Sequence, residues 1–169
     1  MRASCDQLLT KLLDGADEIL IVGSAQGVDV GSWLVARAPV TLPTTVFVAE
    51  EAFDALPTLR TASAAQGATA VLAMGDGSAC RTEKAPGYLN DRAFPFDDQI
   101  AAALADVGVA ALRDLNQEEA RELLVAGRLV WPTVAQVVAE DPRNWTGDLL
   151  HRSDPYGVSY FVAIWTPAS

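Results

Sequence analysis

The sequence is poor in the residues from which metal and redox sites are usually built. Its 169 residues include one histidine, His151, and two cysteines, Cys5 and Cys80. Neither cysteine belongs to a C-x-x-C pair, so neither a structural zinc site nor a disulfide framework is expected. Two isolated thiols read as packing residues in a reducing compartment. Basic runs are also missing: 12 Lys and Arg stand against 22 Asp and Glu, a formal net charge of −10. Nucleic-acid binding depends on cations that neutralise phosphates, and an acidic surface is repelled by anionic lipid, so neither partner is expected. No apolar run approaches the length of a membrane span. Residues 1–14 are amphipathic and lack the continuous apolar centre of a secretion signal. The expected location is the cytoplasm, and the expected partner is a small molecule or another protein.

What is present is the composition of an ordinary folded chain, 50% apolar and 20% charged, long enough to bury a core as a single domain over residues 1–169. Ser4-Cys5-Asp6-Gln7 has the pattern of a capping box, followed by Cys5, Leu8, Leu9, Leu12 and Leu13 at helical spacing and a stop at Gly15. Glu18–Gly23 and Ala68–Met74 are short apolar runs ending in glycine, as in strands of a parallel sheet buried on both faces. Residues 28–39 fit no single period. Pro43 is placed to open a helix through Phe47 and Phe53 that Pro57 would end. Residues 62–67 suggest a short helix or loop, and Arg81–Pro95 a long irregular loop of the kind that often carries function. Helices are expected over Asp97–Val107, from the Asn116 cap to Gly127 with Leu123 and Leu124 buried, and from Trp131-Pro132 onward. Leu149-Leu150, the turn Asp154–Gly157 and Val158–Trp165 suggest a C-terminal hairpin. The expected fold is α/β, with a mixed, largely parallel sheet and helices on both faces.

Two loops follow the predicted parallel strands, at the sheet edge where open α/β proteins bind ligands. The first is Gly23-Ser24-Ala25-Gln26-Gly27. Gly23, Gly27 and Gly31 are spaced by four, which is not a dinucleotide fingerprint. The second is Gly75-Asp76-Gly77-Ser78-Ala79-Cys80. Its glycines allow close backbone approach, and Asp76 and Ser78 can hydrogen-bond a ligand or equally well cap their own loop. Ser78 lacks the flanks of a nucleophile elbow. Cys80, beside Arg81 and Lys84, is a candidate thiolate for a hydrolase or transferase, although no histidine is near it in sequence. His151 has Asp148 and Asp154 as neighbours that could orient it as a base. Glu118 and Glu119 suit the positive end of their helix, with Glu122 further along it. The pocket candidates are Gln26, Asp76, Ser78 and Cys80; no catalytic residue and no metal ligand is assigned.

The order of motifs resembles the class III extradiol dioxygenase superfamily. It is carried by the Gly-Ser-Ala-Gln-Gly loop, Met74–Ala79, Ala85-Pro86-Gly87-Tyr88-Leu89, Pro95-Phe96-Asp97, Glu122–Arg128 and Tyr156–Phe161. The match is closest to an actinobacterial branch and covers nearly the whole chain. The resemblance implies an Fe(II) centre with two histidines and a glutamate, a facial triad leaving open positions for a catechol and dioxygen, plus an acid–base histidine. This sequence departs from that pattern. The strand carrying the first histidine would precede Met1, so the domain is expected to lack the family's first strand. Gln26 stands where the second is expected, and Ala79-Cys80-Arg81 where the acid–base histidine belongs. Glu118 is the match for the glutamate, and His151 matches no ligand position. The expectation is a metal-free, inactive relative acting as a small-ligand or protein-binding module, with no cofactor. The alternative is an Fe(II)-dependent catechol-cleaving enzyme. A missing first strand would leave a sheet edge open, and a homodimer is then expected.

Overall fold

Ile19, Leu20, Ile21 and Val22 are each at most 3% exposed, and the architecture is arranged around them. They form the middle of β1 (Glu18–Gly23), flanked in parallel by β2 (Thr44–Val48) and β3 (Thr69–Met74) in the order β2-β1-β3. A computed structural model of the chain describes residues 2–64 and 67–168. Parallel neighbours need crossovers, which α2 (Ala25–Val35) and α3 (Leu56–Ala64) supply. Side chains alternate across the sheet. Ile19 and Ile21 therefore join Leu8, Leu9 and Leu13 of α1 (Arg2–Leu13) and Val28 of α2 in one core. Leu20 and Val22 join Leu59 of α3 and residues from the C-terminal half in the other.

That half contributes α4 (Ala93–Ala105), α5 (Val109–Arg113), α6 (Gln117–Glu122) and α7 (Trp131–Glu140), then the antiparallel hairpin β4 (Trp145–Ser153) and β5 (Tyr160–Pro167). Val162 and Ile164 pack on the α1 side. On the opposite face Phe161 meets Trp131 edge-to-face at 6.0 Å, and the Trp165 indole donates to the Leu104 carbonyl at 2.7 Å. The hairpin forms its own two-stranded ladder. It is nevertheless tied to the parallel sheet's outflow: Gly77 N–H donates to Ser159 O, Ser159 N–H to Ser78 O, and Arg81 N–H to Gly157 O, at 2.8, 2.8 and 3.1 Å. The fold is thus α/β with parallel strands, helices and a C-terminal hairpin, as expected. The difference is that the antiparallel pair is a separate sheet, so the three-stranded sheet is wholly parallel rather than mixed.

Several local expectations are corrected. The Pro43–Phe53 helix is instead a strand: Pro43 O accepts from Ile19 N–H at 2.9 Å, and Thr44–Val48 runs along β1 in register. The pairing overrides a proline signal that suited a helix start equally well. Pro57 lies in the first turn of α3 rather than ending a helix, because the first helical N–H groups are unbonded in any case. Of residues 62–67, α3 takes 62–64, and 65 and 66 lie outside the described residues. The mixed pattern of 28–39 resolves into α2 up to Val35. Helix α1 already includes Arg2, so Ser4 is inside it rather than at its cap. Helix α4 starts four residues before Asp97. Asn116 does cap α6, accepting from Glu119 N–H at 3.1 Å, but that helix ends at Glu122 and Leu124 is exposed with φ +56°.

Candidate functional site at the strand ends

The two loops at the C-terminal edge of the parallel sheet are built differently. In the first, Ser24 caps α2, its hydroxyl accepting from Gly27 N–H at 3.1 Å. Gly23, Gly27 and Gly31 face Met74 at the end of β3: a Cβ on them would lie 2.9, 3.1 and 3.0 Å from that side chain. A Cβ on Gly31 would also stand 2.8 Å from Ile21 Cγ2. Gly27 and Gly31 thus give α2 a face without side chains, and Gly23 leaves the end of β1 bare beneath it, which lets α2 settle onto β1 and β3. Gln26 sits exposed on the first turn of α2.

The second loop closes on itself. Ser78 is fully buried, its N–H and hydroxyl donating to the two carboxylate oxygens of Asp97 at 2.8 and 2.6 Å. Asp97, also fully buried, receives Arg81 Nη1 at 3.2 Å. Arg81 reaches on to Asp154 at 2.9 Å, and its guanidinium stacks 4.4 Å from the Phe94 ring centroid. Gly77 leaves room for this arrangement, since a Cβ there would lie 2.8 Å from Asp97 Oδ1. Both faces of a buried carboxylate are thus satisfied by one loop, the condition under which such a charge is tolerated.

Cys80 is 2% exposed, its thiol directed at the Leu123 carbonyl at 3.5 Å. Gly87 closes over it, where a Cβ would lie 2.4 Å from the sulfur. Burial first, and then the Asp97 charge, push the thiol's pKa up. A protonated, enclosed thiol is a poor nucleophile. Asp76 is partly exposed, and burial raises its carboxyl above the usual range. Its charge in turn helps raise the Tyr160 phenol, after burial.

Of the four pocket candidates, then, Ser78 and Cys80 belong to one buried loop, Asp76 borders it, and Gln26 stands apart on α2. Asp97, the residue that organises the loop, was not singled out as a site residue from sequence. Its one sequence signal is an acidic residue just inside a helix after Pro95. Two shallow depressions are present, the second bordered by Asp154 and Gly157, the partners of Arg81. One, about 320 Å³, is between β1, β2 and α3 near Glu18 and Thr45; the other, about 500 Å³, is beside Thr82, Lys84 and Tyr156.

The donor set for Fe(II) does not come together. His151 is in β4, where Nε2 meets Ser153 Oγ at 2.9 Å. Glu118 is on the exposed surface of α6, paired with Arg121. Among the described residues no cluster of three or more His, Cys, Asp or Glu side chains is arranged to hold a metal ion. Among them also, no helix is long and apolar enough to cross a membrane. No protein-family model matches the chain, and a search of curated proteins finds no match.

Proposed function

We propose that this protein is a metal-free relative of the class III extradiol dioxygenases that serves as a binding module for a small ligand or a protein. The observation that carries the proposal is the fate of the ligand positions. Gln26 is an exposed amide, and Ala79-Cys80-Arg81 is built into a buried loop. The lone imidazole is held by Ser153 in the hairpin. An amide and a buried thiol cannot replace two imidazoles at an oxygen-activating iron. Asp76 and Gln26 remain as polar groups at the strand ends, where α/β sheets take ligands. The reading includes a cytoplasmic location, which the two free thiols support.

The test is metal content and turnover of the purified full-length chain. Elemental analysis is expected to find iron far below one atom per chain. After anaerobic loading with Fe(II) and admission of air, protocatechuate is expected to give no coloured ring-opened product. Stoichiometric iron together with ring cleavage would overturn the proposal and establish the dioxygenase reading.

A further inference from the structure

The outer edge of β2 forms an uncharged, self-complementary surface. We infer that it joins two copies of this chain through antiparallel pairing of their β2 strands.

The main chain shows which groups are available. Pro43 O accepts from Ile19, and Ala49 N–H donates to Gly23 O. In a parallel ladder every second residue turns both its groups to the same neighbour. Residues 43, 45, 47 and 49 therefore face β1, while Thr44, Val46 and Val48 turn their N–H and C=O groups away from it. Among the described residues β2 pairs with β1 alone. A second β2, related by a two-fold axis at Val46, would match Val46 with Val46 and Thr44 with Val48. Each donor then meets an acceptor in an isologous contact.

The side chains fit the same axis. Val46 and Val48 are each 47% exposed. They are uncovered because the glycine face holds α2 over β1 and β3. Gly31 lies against Ile21, whose register partner is Val46, so α2 passes the strand at the level of the proposed axis.

Charge selects a second copy as the occupant. A chain of net charge −10 opposes its own approach, yet residues 39–49 carry no charge at all. Glu50 and Glu51 of the two copies would fall at opposite ends of the paired strands. Exposed apolar edges of this kind are normally blunted by charge unless they are used.

Light scattering and sedimentation of the full chain across a micromolar concentration series would test this. Wild type is expected at twice its 17.9 kDa mass. Val46→Pro removes an outward N–H that the β1 ladder does not use, a position where an edge strand accepts proline. It is expected to halve the apparent mass with the circular dichroism spectrum retained. Should that variant fail to fold, Val46→Lys, which keeps the strand and sets like charges directly opposite each other across the axis, is expected to halve the mass in its place. A wild-type monomer throughout the series would overturn the inference. So would a dimer that survives in a folded Val46→Pro or Val46→Lys variant.

Discussion

The ends of β1 and β3 begin alike, each strand running into a glycine followed by small polar residues, yet they do opposite things. After β1 the glycines take away side chains so that a helix can lie on Met74. After β3 Gly77 lacks a side chain so that a carboxylate from α4 can enter the loop, and Gly75 lacks one so that the Gly127 backbone can approach. One loop is a contact surface with a single neighbour. The other is a small polar core, drawing on α4, Arg81 and the start of β5. A glycine-rich strand end is therefore ambiguous until its neighbours are known: it can bring backbone close to a ligand, to a helix or to a buried charge.

The sharpest way to break the contrast is Asp97→Ala. It strips Ser78 of both acceptors and leaves Arg81 without its buried partner. Removing one member of such a pair costs roughly 3–5 kcal/mol, so the urea midpoint is expected to fall steeply. A loss within about 0.5 kcal/mol, the range typical of surface changes, would show that the loop does not depend on its carboxylate.

The corresponding change at the other strand end is Gly31→Val. Branched carbons would be forced against Ile21 and Met74, and overpacking of this kind costs about 1–3 kcal/mol. The expected result is a lower thermal midpoint with α2 displaced, read by the altered fluorescence of Trp33.

The smallest effect, and the one that sharpens the comparison, is at Asp76. Burial raises its carboxyl above the ordinary value of 3.8. The folded state therefore favours the protonated form. Its contribution is fully present below the unfolded value and is lost as pH rises through the folded one. Asp76→Asn carries no such loss. The variant is expected to match or trail wild type in acid and to gain on it as pH rises toward neutrality. Parallel stability curves for the two proteins across that range would contradict the assignment.

Much of this organisation was legible in the sequence. β1 and β3 announce themselves as apolar runs too short for helices, and the hairpin as a turn between β-prone segments. Helix α7 is marked by Trp131-Pro132. β2 was hidden for a physical reason: Thr44–Val48 lies at an edge with exposed residues on both faces, so it shows no alternation, and Pro43 suits the first turn of a helix as well as the mouth of a strand. At the site, Ser78 and Cys80 stood out because their residue types carry chemistry. What decides their roles is Asp97 in one case and the Leu123 carbonyl with Gly87 in the other. Those neighbours are brought in by tertiary packing, which local pattern does not encode. The spacing of Gly23, Gly27 and Gly31 was visible, but residues 28–39 fitted no single period, so its part in seating α2 on the sheet was not.

The link between Ser78 and Asp97 spans 19 residues, and that interval makes the pair a diagnostic for comparing chains. Where Gly-Ser after a strand is followed at a similar distance by an aspartate just inside a helix, the serine is already engaged by the fold and is a poor nucleophile candidate. A chain keeping the serine but losing the aspartate would have that hydroxyl released for other work. The aspartate is thus the position to inspect first when asking whether such a loop is scaffold or reagent.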